Sequence, residues 1–138
     1  MAKNNNCDLE ITSNSKTIKI NNRGDEISIN IDDRVEMNKI INMVMNFKEQ
    51  TSKHLENPDL DSLNKLCDDT EKELKEFFGD DILIKIFNIE HPSLRLFVEF
   101  FCKLFKIISK FSDEKNEQTV KNIESIYGEK YINRLESN

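Results

Sequence analysis

Between Pro92 and Phe111 the chain reads PSLRLFVEFFCKLFKIISKF, and no other stretch constrains the fold as strongly. At about 100° per residue along a helix, its charged positions Arg95, Glu99, Lys103, Lys106 and Lys110 fall inside a sector of about 80°. The rest of the circumference is nearly all apolar. An ordinary amphipathic helix on a small domain buries one stripe. This one is therefore expected either to be surrounded by other helices or to give a face to another chain. A membrane span fits poorly, because charges interrupt the segment at every turn.

The remaining segments supply what would surround it. Asp33 with Glu36 three residues on fits a capping box, and Val35, Met37, Ile40, Ile41, Val44, Phe47 and Leu55 recur with helical spacing. A helix over 34–56 follows, ended by Asn57-Pro58. A second helix opens near Asp59 and carries Leu60, Leu63, Cys67, Leu74, Phe77 and Phe78 on one face. It stops at Gly79, a residue that tolerates positive φ. Asp80 and Asp81 then stand where a carboxylate accepts unpaired amide hydrogens at a helix start. A short helix over 81–88 turns Ile82, Leu83, Ile86 and Phe87 inward, and Pro92 suits the first position of the apolar helix. From Ser112 the composition becomes polar. That predicts a separate, weaker helix through Val120, Ile123 and Tyr127, stopped by Gly128, with Tyr131 and Leu135 adding a further turn before a frayed terminus.

Ahead of the helices, residues 16–31 (KTIKINNRGDEISINI) alternate in period two around a polar turn, which reads as a β-hairpin. Ile18 and Ile20 face one side of its first strand, and Ile27, Ile29 and Ile31 one side of its second. Leu9 and Ile11 hint at a strand before it, but the polar run TSNS breaks their parity with Ile18. The RGD triplet is read as a charged hairpin loop. The expected organisation is a flexible or weakly extended segment over 1–15, the hairpin over 16–31, a helical domain over 32–128 and a frayed tail over 129–138. The fold class is mainly α, a small bundle of four to five helices with an N-terminal β-hairpin.

Length and composition narrow the function classes. A chain of 138 residues suits one domain, and three glycines with two prolines favour long helices over a glycine-rich enzyme fold. Nine phenylalanines argue for a packed core despite a hydrophobic fraction of 37%. The net charge of −6, with acids and bases mixed along the chain, disfavours nonspecific nucleic-acid binding. Lys103, Lys106 and Lys110 form only a narrow basic stripe, broken by Glu99, which reads as the solvated face of its helix. The opening residues lack the continuous apolar run of a secretory signal, so residence in a cytosol is expected. Cys7, Cys67 and Cys102 are odd in number and widely spaced, a poor disulfide framework, and the latter two read as small buried thiols.

Chemistry finds little to work with. His54 lies near the end of the first helix and His91 before Pro92, with no H-x-x-x-H, H-E-x-x-H or C-x-x-C pair to seed a zinc site. The acid pairs Asp32-Asp33, Asp68-Asp69 and Asp80-Asp81 read as caps or solvated positions rather than cation ligands. No phosphate loop, dinucleotide fingerprint or nucleophile elbow is present. The expectation is a protein without catalytic residues, metal or cofactor, in which Phe97, Phe100, Phe101, Leu104, Phe105 and Ile108 form both core and a partner-binding or oligomer face, the sequence not separating the two. Phe77, Phe78, Gly79, Asp80, Asp81 and Phe87 form the joint that sets the angle of this surface.

The order of elements, an extended N-terminal part and then a compact helical domain, resembles that of tail assembly chaperones from tailed bacteriophages. The pattern FFGDDILIKIFN, a helix ending at phenylalanine and glycine before a short helix, is similar to a stretch in that group. The likeness covers about residues 16–127, and this chain departs from it in having little glycine after Phe87. The resemblance implies a non-enzymatic protein in the cytoplasm of the bacterial host. It would mask the tape-measure protein, keep it soluble, recruit tail-tube subunits, self-associate, and be absent from the mature virion. Such proteins are often made in a short and a frameshifted longer form. Two rival classes are a small inhibitory or regulatory protein binding one enzyme, which predicts a defined heterodimer, and a minor structural virion connector, which predicts presence in particles.

Overall fold

Side chains set the boundaries of most elements in this chain. The computed structural model describes the backbone of residues 7–127 and the side chains of residues 7–111. The expected stop at Gly128, the turn with Tyr131 and Leu135, the tail over 129–138 and the first six residues lie outside the described residues. The order is β1 (Ser15–Lys19), β2 (Glu26–Asn30), α1 (Arg34–Glu56), α2 (Leu60–Phe78), α3 (Ile82–Phe87) and α4 (Leu94–Tyr127). The mainly helical fold with an N-terminal hairpin is thus as the sequence implies.

At the start of α1, Asp33 Oδ1 accepts from the amides of Val35 and Glu36 at 3.0 and 3.1 Å. Glu36 does not complete a capping box on Asp33. Its Oε2 instead accepts from the Asn30 amide at 2.7 Å and ties α1 to β2. Asp59 caps α2 through the Ser62 amide, 2.7 Å. The joint departs from expectation: Asp81 occupies the position before α3 but makes no capping bond. Its carboxylate pairs with Lys85 one turn on, 3.1 Å, and Asp80 is exposed. Pro92 is not the first residue of α4. Ser93 caps that helix, accepting the Phe97 amide on its carbonyl at 3.2 Å, and Pro92 is buried just before it.

A larger difference lies beyond Ser112. The separate fifth helix expected there does not exist among the described residues, because α4 runs unbroken for 34 residues, about 51 Å at 1.5 Å per residue. The run SDEKNEQTV contains neither glycine nor proline, so no residue type in it interrupts the hydrogen-bond ladder.

The strands pair antiparallel with Ser15 opposite Asn30 and Lys19 opposite Glu26. Ile27, Ile29 and Ile31 alternate inward and join the helices in one core, with Ile40, Leu74, Ile82, Leu83 and Phe97 its most enclosed side chains. The hairpin turn carries a second task. Asn21 Nδ2 donates to the Lys85 carbonyl at 2.9 Å and Arg23 Nη2 to the same oxygen at 3.3 Å. The RGD loop is therefore a charged turn that satisfies carbonyls at the end of α3. Helical faces differ from the sequence reading in part. Val35, Ile41, Leu55 and Leu60 are exposed, while Met43 and Leu66 are buried in the core.

Candidate partner-binding groove

The six apolar residues singled out on α4 divide between two roles. Phe97, Phe101, Leu104 and Ile108 are core, each 4% exposed or less. Phe100 is half-buried, packed edge-on against Phe101 and Phe87. Phe105 alone is open, at 51%. The joint is assembled as a unit: Phe77 and Phe78 meet edge to face at 4.7 Å, and Phe87 packs edge-on against Phe97 at 5.4 Å. Gly79 ends α2 at φ 112°, ψ 160°, a region open essentially to glycine alone.

Sequence reasoning missed what Phe105 belongs to. At 100° per residue, Val98, Cys102 and Phe105 form a shoulder of α4 between its core face and its charged sector. All three are exposed, so Cys102 is not the buried thiol expected. Across from them α1 offers Met45, 49% exposed. The two shoulders bound a groove of about 470 Å³ whose floor is the Phe47 and Phe101 ring pair, stacked at 4.3 Å. Thr51, on the α1 wall, holds the one buried side-chain hydroxyl without a partner among the described residues. The signal was present: Ile41, Met45, Ser52 and Leu55 recur at helical spacing as a second stripe of α1, outside the one buried in the core.

Charge marks the rim. Lys48 and Lys106 line the groove, and neither makes an ion pair with a described residue. Other lysines are occupied, Lys53 by Glu49 at 3.4 Å and Lys103 by Glu99 at 3.1 Å. An apolar floor between two free ammonium groups suits an apolar helix edged with carboxylates.

The titratable groups elsewhere hold structure together. His54, buried at the end of α1, sets its Nδ1 2.8 Å from Ser62 Oγ and pins the α1 to α2 corner, a tighter role than the dipole interaction its position suggests. It borders a polar cleft of about 540 Å³ between α1 and α2. There burial, with the nearby Glu76 and Asp69 charges, raises the Glu73 carboxyl. Burial and the charges of Glu71 and Asp68 also push the half-buried Cys67 thiol up, away from a reactive thiolate. The exposed His91 sets Nδ1 2.9 Å from Oε1 of the buried Glu71, joining the α3 to α4 connection to α2. This bond and the attraction of Glu71 hold the His91 imidazole above its ordinary value.

Among the described residues no group of three His, Cys, Asp or Glu side chains is arranged to hold a metal ion, and no helix is long and apolar enough to cross a membrane. No family model, curated protein or solved structure matches this chain.

Proposed function

We propose that this protein is a non-enzymatic assembly chaperone of the tailed-phage kind, which masks an apolar helix of a tape-measure protein in the groove between α1 and α4. The observation that carries the reading is the groove itself: Met45, Val98 and Phe105 stay open over a floor of stacked phenylalanines, at the edge of an otherwise well-packed core. Helix-in-groove recognition uses such a surface, with apolar anchors repeating at helical spacing along the partner. In this reading the protein self-associates, recruits tail-tube protein, works in the cytoplasm of the bacterial host and leaves the finished tail.

Co-expression with tape-measure fragments tests it. The expected result is a co-purifying complex that Phe105→Asp weakens by at least about tenfold, some 1.4 kcal/mol. Failure of every fragment to bind removes the reading. A stoichiometric heterodimer with a single enzyme supports the inhibitor class instead, and recovery of the protein from purified virions supports the connector class.

A further inference from the structure

Among the described residues the sheet is two strands wide, and the hydrogen-bond phase of its outer edge can be read from its ends. The Ile20 amide donates to the Asp25 carbonyl at 3.1 Å and the Ile31 amide to the Asn14 carbonyl at 3.0 Å. With the register of the ladder, residues 14, 16, 18 and 20 therefore face β2. The amides and carbonyls of Ser15, Thr17 and Lys19 point the other way, along an open edge, an arrangement that invites another strand.

Beneath that edge lies an apolar hollow of about 400 Å³ between β1 and α4, bordered by Ile18, Ile20, Phe87, Phe100 and Ile107. It sits on the opposite flank of α4 from the groove described above. Lys19 stands at its border, as does Lys103 with its ion-pair partner Glu99. The segment before β1 carries the complement. Leu9 and Ile11, at alternate positions, are 84% and 89% exposed, and Asp8 and Glu10 alternate with them.

We propose that residues 8–12 of one copy add as a third, antiparallel strand to β1 of a second copy. Pairing Glu10 with Lys19 sets Leu9 opposite Ile20 and Ile11 opposite Ile18, so both apolar side chains enter the hollow. Glu10 and Thr12 then exchange main-chain bonds with the outward groups of Lys19 and Thr17. On the solvent face Glu10 meets Lys19 as an opposite-charge cross-strand pair. The new ladder replaces one local bond, from the Glu10 amide to Asp8 Oδ1 at 2.8 Å.

The same contact is not available within one copy. Asn14 donates its amide to Asp32 Oδ2 at 2.8 Å, and Ser13 Oγ accepts from Asn30 Nδ2 at 3.0 Å. These bonds hold residues 13 and 14 in line with β1, so the segment ahead of them leaves along the strand axis instead of doubling back onto its edge. Each copy is then donor on one side and acceptor on the other. Such a heterologous contact propagates to a ring if its rotation closes and to a filament if it does not.

Sedimentation velocity over a concentration series tests this on the full chain. Wild type is expected to assemble, and L9D/I11D to stay monomeric with an unchanged circular dichroism spectrum, since both side chains are exposed. E10K and K19E should each weaken assembly about two- to fivefold, and E10K/K19E should restore it. Phe105→Asp should leave assembly intact, which separates this contact from tape-measure binding. A wild type monomeric throughout, L9D/I11D assembling like wild type, or a charge swap without rescue each overturns the proposal.

Discussion

Two phenylalanines four residues apart on α4 have opposite duties, and substitution separates them. Phe101 is 4% exposed and stacked on Phe47. Phe101→Asp is expected to lose at least the about 3–5 kcal/mol of a phenylalanine truncation, with an unpaired buried carboxylate added, enough to unfold a marginally stable domain. Phe105→Asp should leave the helical spectrum and melting temperature close to wild type while removing partner binding. Circular dichroism melts beside a binding assay give both answers. The exposed His91 offers a pH test. Its imidazole value is raised in the folded state by Glu71, so the tether is fully present below the unfolded imidazole value of about 6.5 and is lost as pH rises through the raised value. Melting temperatures taken on both sides of that window should fall with rising pH in wild type, and His91→Asn should flatten that part of the profile.

Among the elements, the joint between α2 and α3 depends on backbone chemistry at Gly79. A Cβ at Gly79 meets nothing closer than Asp81 Oδ1 at 3.6 Å, so space is not the obstacle. The cost of Gly79→Ala comes from φ 112° and should be about 1–3 kcal/mol in urea unfolding, with the slope unchanged. Element boundaries were legible at Asp33 as a cap, near Asp59 as a start and at Pro58 and Gly79 as stops, but not at the joint, where Asp81 pairs with Lys85 instead of capping, nor at α4, which Ser93 and not Pro92 opens. The continuity of α4 past Ser112 was not legible, because a shift to polar composition without glycine or proline does not break a helix. The α4 surface was legible only as a width. A helical wheel gives the size of the apolar sector but not which neighbours occupy it, so Phe101 and Phe105 look alike until Phe47 of α1 is seen to stack on the one and leave the other open. Met45 escaped notice because the stronger stripe through Ile40, Val44 and Phe47 accounts for the helix by itself.

Across the whole molecule the two candidate surfaces lie on opposite flanks of one helix, and both carry lysines on a chain whose net charge is −6. Symmetric packing of the groove on a second copy would bring Lys48 and Lys106 against their own duplicates, which like-charge repulsion disfavours. Carboxylate-bearing partners are favoured at the groove by Lys48 and Lys106 and at the β1 edge by Lys19. The uninterrupted course of α4 adds a directional consequence. Its first half is locked in the core by Phe97, Phe101 and Leu104, so the azimuth at which the backbone leaves Tyr127 is fixed relative to the groove. One residue inserted after Phe111 would swing that azimuth by about 100°, whereas seven would nearly restore it. The helix thus behaves as an indexed shaft, carrying the orientation of the core along its length to whatever is joined beyond it.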